Sequence, residues 1–161
     1  MGRFIKGYLG PLLIAVIATA TLAVVFQTQR VIAMMGAVGG EVTLSERLSM
    51  TLYDLKHLGS LYGIFIFIAL LIALTAALFL SRAKPSLSKY FYMGAGAIAM
   101  IVLLFTMKQA FFDVHIIAGA RDGFGQALQM LAGAFGGYMF WRLRQTRLTA
   151  EQGDKLTSAS D

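Results

Sequence analysis

The chain has 161 residues, 58% of them hydrophobic and 14% charged, with no cysteine and a net charge of +6. A soluble domain carries roughly 45–50% apolar and about 25% charged residues, so this balance excludes an ordinary water-soluble domain and selects lipid as the solvent for most of the chain. The missing cysteines exclude disulfides, thiolate metal sites and cysteine nucleophiles.

A helix crossing the hydrocarbon core needs about 20 mostly apolar residues. Four stretches meet that length, and none contains an ionised residue before Lys108 in the last turns of the third. They are continuous apolar runs rather than alternating ones, which selects helices over a barrel. The first covers residues 8–26. Arg3 and Lys6 precede it, and Ala18, Ala20 and Ala23 imitate a signal-peptide cleavage site. A retained membrane anchor is the expectation.

Residues 27–60 form the longest expected loop. Its first part, residues 31–40, is apolar and glycine-rich and is expected to lie along the membrane surface. Its second part reads TLSERLSMTLYDLKHL. Thr43 and Glu46 stand at capping-box spacing, and Leu44, Leu48, Leu52 and Leu55 recur at helical spacing. An amphipathic helix follows, on the outer face or leading into the second span, with Gly59 as its expected bend. The second span covers residues 61–80 and the third residues 90–112. Arg82, Lys84 and Lys89 lie between them. The fourth span covers residues 124–141, and residues 146–161 read as a polar cytoplasmic tail after a membrane domain of residues 1–145.

Charge sets the orientation. Nine basic residues, Arg3, Lys6, Arg82, Lys84, Lys89, Arg142, Arg144, Arg147 and Lys155, fall on one side, against three acids. On the other side five basic residues face five acids. The positive-inside rule puts both termini in the cytoplasm. The predicted architecture is thus an all-α, four-helix antiparallel transmembrane bundle in a plasma membrane, read as a bacterial inner membrane from its size and compact loops. The layout resembles tetraspan proteins such as claudins in topology alone. The cysteines and tryptophan motif of the claudin outer loop are missing, so that resemblance implies no activity.

Lipid is as apolar as leucine, so close packing at small residues must hold such helices together. Gly94 and Gly96 of the third span and Gly133, Gly136 and Gly137 of the fourth are the expected packing residues. Contact between these two spans is the favoured reading, and contact with another subunit the competing one.

Chemistry is sparse. The chain lacks HExxH, GxSxG and a P-loop, and no carboxylate lies near the middle of a span. Polar residues gather at the outer end instead. In KQAFFDVHIIAGARDG, Lys108, Asp113, His115, Arg121 and Asp122 crowd into the second outer loop. Lys108, His115 and Arg121, with Gln126 and His57, form the candidate ligand site for an anionic group. Gln126 and Gln129, three apart, share a helix face as an interhelical hydrogen bond or the lining of a polar cavity. Asp54, His57, Asp113 and His115 are the metal-ligand candidates, at a spacing that matches no metal signature. Neither a metal nor another cofactor is expected. Ile116, Ile117 and Ala118 stand out as an apolar trio that a plain solvated loop does not need.

The leading functional expectation is a non-enzymatic accessory, assembly or scaffold subunit of a membrane complex. Its partners would be the bilayer, other membrane subunits or further copies of itself, and not nucleic acid. The alternative is a protein that binds or transports a lipid or small molecule through the outer mouth. A metal- or haem-dependent membrane enzyme ranks below both.

Overall fold

Apolar runs of this length can satisfy their backbone polar groups only as helices, and the chain folds into four of them: α1 (Gly2–Ala37), α2 (Leu44–Ala83), α3 (Ser88–Ala110) and α4 (Gly123–Ser158). A computed structural model describes residues 2–110 and 117–158, with no strand among them. At 1.5 Å per residue the helices run for roughly 54, 60, 35 and 54 Å, each longer than a hydrocarbon core of about 30 Å. α1, α2 and α3 are long and apolar enough to cross a membrane. α4 falls below that hydropathy because glycines, Gln126 and Gln129 dilute its apolar stretch.

Each helix packs on its neighbours in sequence, and α4 closes the ring on α1. Neighbours run in opposite directions. Tyr8 Oη lies 2.8 Å from Thr75 Oγ1, joining the start of α1 to the later part of α2. Thr28 Oγ1 lies 2.7 Å from Asp54 Oδ2, joining the same helices the other way round. Gly10 of α1 faces Arg147 of α4, and Thr19 faces Gly136. We call the end with the start of α1 and the α2–α3 connection proximal, and the opposite end distal.

The core is a set of stripes at helical spacing. α1 contributes Leu12, Ala15, Thr19 and Ala23; α2 contributes Tyr62, Ile66, Leu70 and Leu74; α3 contributes Tyr92, Ala99, Met100 and Leu103; α4 contributes Gln129, Ala132 and Phe140. The opposite faces are apolar as well, with Ile17, Ile68, Val102 and Leu131 exposed.

The long first loop is not a loop. α1 continues to Ala37, leaving only residues 38–43 as the connection. Ile32, 2% exposed, prolongs the buried stripe of α1 past Thr28 and holds the extra turns. A Schellman motif ends the helix. Gly39 takes φ +85°, its N–H donates to the Gly36 carbonyl at 3.2 Å, and the Gly40 N–H donates to the Met35 carbonyl at 3.0 Å. The capping box then opens α2. Glu46 N–H donates to Thr43 Oγ1 at 3.3 Å, and the Glu46 carboxylate accepts from the Thr43 N–H at 2.9 Å. α2 runs unbroken through Gly59, so the amphipathic segment is its first part. α4 stays helical to Ser158, so the polar segment from residue 146 continues the last helix.

α4 is held by bare backbone. A Cβ on Gly96 would overlap the Gly133 carbonyl oxygen, one on Gly133 would overlap the Gly96 carbonyl oxygen, and one on Gly137 would overlap the Tyr92 carbonyl oxygen. Gly136 faces α1 instead, where a Cβ would overlap Thr19 Oγ1. Gly94 departs from the expectation: a Cβ there meets nothing within 4 Å. One helical turn carries both residues 94 and 96, but only one of them can point at α4.

Leucine at Gly133 or Gly137 should therefore cost about 3 kcal/mol or more, the upper range for overpacking, because the overlap is with backbone that cannot rotate away. Leucine at Gly94 should stay within about 0.5 kcal/mol of wild type. Thermal unfolding in mild detergent reads both, and unchanged midpoints for Gly133→Leu and Gly137→Leu would refute the contact.

Candidate functional site

The distal end gathers most of the polar chemistry. Asp122 is the N-cap of α4: its Oδ1 accepts from the Gly125 N–H at 2.8 Å, satisfying one of the orphan donors of the helix start. Its Oδ2 pairs with the Arg30 guanidinium of α1. Arg30 also lies over the Phe124 ring, 5.4 Å from its centroid. One turn before Arg30, Gln27 turns inward, 6% exposed, and its Oε1 accepts from the Gly119 N–H at 2.6 Å. The Arg30 hydrogen bond and then the Gly125 N–H hold the Asp122 carboxyl below the usual carboxylate range.

These bonds pull the chain before α4 down onto the bundle. Ile117 is 3% and Ala120 2% exposed. Gly119 sits so close to Gln27 that a Cβ would come 2.6 Å from Oε1 and 2.7 Å from the Gln27 carbonyl oxygen. Ile117 and Ala120 are thus packed into the distal end of the bundle, and the glycine is there because α1 leaves no room for a side chain.

Deeper in, Gln129 is 1% exposed. Its Nε2 donates to the Ala23 carbonyl at 3.0 Å, and its Oε1 accepts from Tyr62 Oη at 3.2 Å. One amide therefore ties α4 to α1 and to α2, which lies diagonally across the bundle. Thr19 is fully buried and donates to the Ala15 carbonyl within its own helix at 2.8 Å.

The expected ligand residues divide. Lys108 and Gln126 line a cavity of about 280 Å³ between α3 and α4, with Leu104, Phe105, Ile117 and Ala120 among its walls. Arg121 is exposed and does not line it. His57 is exposed on α2, stacked on Tyr53 with ring centroids 4.1 Å apart, and its Nδ1 lies 3.0 Å from the Tyr53 carbonyl oxygen. Asp54 Oδ2 accepts from Thr28 Oγ1 of α1 at 2.7 Å. Asp113 and His115 lie outside the described residues. Among the described residues no three histidine or carboxylate groups gather as a metal would require. Gln27 and Arg30 were missed in sequence because they sit at the edge of what looks like a loop. Their signal is the i, i+3 spacing on a helix that continues.

No known protein family, no curated protein and no solved structure matches the chain. The arrangement itself offers a cavity whose aliphatic and aromatic walls are joined by an ammonium and an amide, beside a polar latch.

Two measurements test the latch and the core amide. A carboxyl with a lowered folded pKa stabilises above its unfolded value, and that stability is lost as pH falls through the lower folded one. Asp122→Asn should therefore lower the melting midpoint near neutral pH, and its gap to wild type should close below about pH 4. A gap that does not change with pH would sink the latch. Gln129→Leu leaves Tyr62 Oη without its acceptor and should cost about 1–3 kcal/mol. Adding Tyr62→Phe should return part of that loss, and a strictly additive double mutant would contradict the pairing.

Proposed function

We propose that this chain is a four-span integral membrane protein of a bacterial inner membrane, with both termini in the cytoplasm, acting as a non-enzymatic accessory or assembly subunit. The fourth crossing rests on register. α4 runs beside α1 from Gly136 against Thr19 to Arg147 against Gly10, so it shares the depth of α1. Its outward residues Phe124, Leu131 and Phe135 are apolar and exposed. Orientation rests on the basic residues, whose excess lies entirely at the proximal end.

One observation carries the accessory role. Leu44, Leu48 and Leu52, 83%, 62% and 58% exposed, line one side of α2 at four-residue spacing. They lie roughly 14–26 Å along the helix from Leu61, where the apolar span begins. Exposed leucines beyond the hydrocarbon need cover, and a neighbouring membrane subunit with an apolar face would supply it. The interior gives the complementary support, since Gln129, Gln27, Thr19 and Thr28 are all engaged in bonds within the bundle.

Purification in mild detergent tests this reading. Wild type should run as a particle heavier than one chain, and Leu44→Ser, Leu48→Ser and Leu52→Ser together should dissociate it. A strictly monomeric wild type with no copurifying protein removes the proposal.

The cavity beside Lys108 favours a second reading, binding of an amphiphile whose polar end meets Lys108 and Gln126. Gln126→Leu should then weaken ligand retention in native mass spectrometry without moving the melting midpoint. A wild-type preparation that retains nothing would exclude it.

A further inference from the structure

At the proximal end, α2 and α3 leave between them a groove of about 320 Å³, lined by Ala73, Ala77, Leu80, Phe91, Gly94 and Ile98 among others. Gly94 forms part of its floor, with open space where its side chain would be. The groove runs roughly 10–12 Å along both helices and is apolar throughout its named walls. Arg82, Lys84 and Lys89 lie around the connection between the two helices, within a few residues of the groove walls Leu80 and Tyr90 in the chain. No aspartate or glutamate occurs between Asp54 and Asp113. Among the described residues none of these three cations joins an ion pair. Arg82 lies over Phe79, 5.5 Å from the ring centroid. Lys89 Nζ lies 5.3 Å from the Tyr138 ring of α4 and 6.0 Å from the ring of Tyr90, which lines the groove.

We infer that the groove seats one anionic phospholipid, its acyl chain along the Ala77 and Gly94 walls and its phosphate among Arg82, Lys84 and Lys89. Charge decides between this occupant and a helix of a second copy. Two copies side by side in one membrane carry the same three cations at the same depth, so their collars repel. A phospholipid brings the missing negative charge at the height where the cations stand, and an apolar tail on the side where the walls are apolar. The smooth alanines and the glycine admit a chain of methylenes lying flat. This rests on the membrane-spanning reading above, and the test separates the two.

Full-length protein is reconstituted in vesicles of equal phosphatidylglycerol and phosphatidylcholine, released in mild detergent and weighed by native mass spectrometry. Wild type should retain phosphatidylglycerol in preference. Lys84→Gln with Lys89→Gln should keep a lipid but lose that preference, by roughly fivefold per cation removed. Gly94→Phe fills the groove from α3 and Ala76→Phe fills it from α2. Both should lose the retained lipid. Retention by both at the wild-type level, or equal retention of the two lipids by wild type, overturns the inference. So does a change from dimer to monomer in Gly94→Phe with lipid unaltered, which would assign the groove to a second copy. Extraction of the chain from membranes by alkaline carbonate would instead overturn the membrane-spanning reading, and is measured on the same preparations.

Discussion

At Gly96 and Gly133 the backbones of α3 and α4 meet with no side chain between them. In water, burying leucine would be enough to draw two helices together, but in lipid it gains nothing, and only close contact, hydrogen bonds and lipid release remain. Close contact needs the axes near each other, and glycine alone permits that. α4 does this on two sides, through Gly133 and Gly137 toward α3 and through Gly136 toward α1. It is the least apolar of the four helices and the most tightly gripped. Its low hydropathy and its packing share a cause, because glycines that dilute its apolar stretch, beside Gln126 and Gln129, also let its neighbours approach.

The grip on α4 sets what its polar groups can do. Gln129 reaches the Ala23 carbonyl and Tyr62 Oη only because α1 and α4 lie close at Gly136. The same register brings the start of α4 to Arg30 and the preceding chain to Gln27. The charges that crowd KQAFFDVHIIAGARDG therefore include a fastening. Asp122 begins a helix and holds it to α1, while Ile117 and Ala120 pack into the distal end of the bundle.

Much of the architecture was legible in the sequence. Apolar run lengths marked the helices, and Thr43 with Glu46 marked the start of α2 to the residue. Small-residue spacing singled out Gly96, Gly133, Gly136 and Gly137, although not which neighbour each would meet. Other features were not legible, for physical reasons. Both faces of a helix in lipid are apolar, so hydrophobic periodicity is silent about which face is buried, and Gly94 could not be told from Gly96. The extension of α1 to Ala37 was hidden by glycines at residues 36, 39 and 40, of which only the last two lie outside the helix. Of the ligand candidates, Lys108 and Gln126 converge because α3 and α4 bring them together across the chain. His57 and Arg121 do not, and spacing along the sequence gives no measure of that.

The turn between α1 and α2 contains its own instructions. Gly39 stops one helix and Thr43 starts the next, through bonds that reach no further than Met35 on one side and Glu46 on the other. Nothing in α3 or α4 is needed to make it. In chain order this turn precedes the glycines of α3, and its bonds can form without them. The angle and register at which α2 leaves α1 are thus set locally, by residues 35–46.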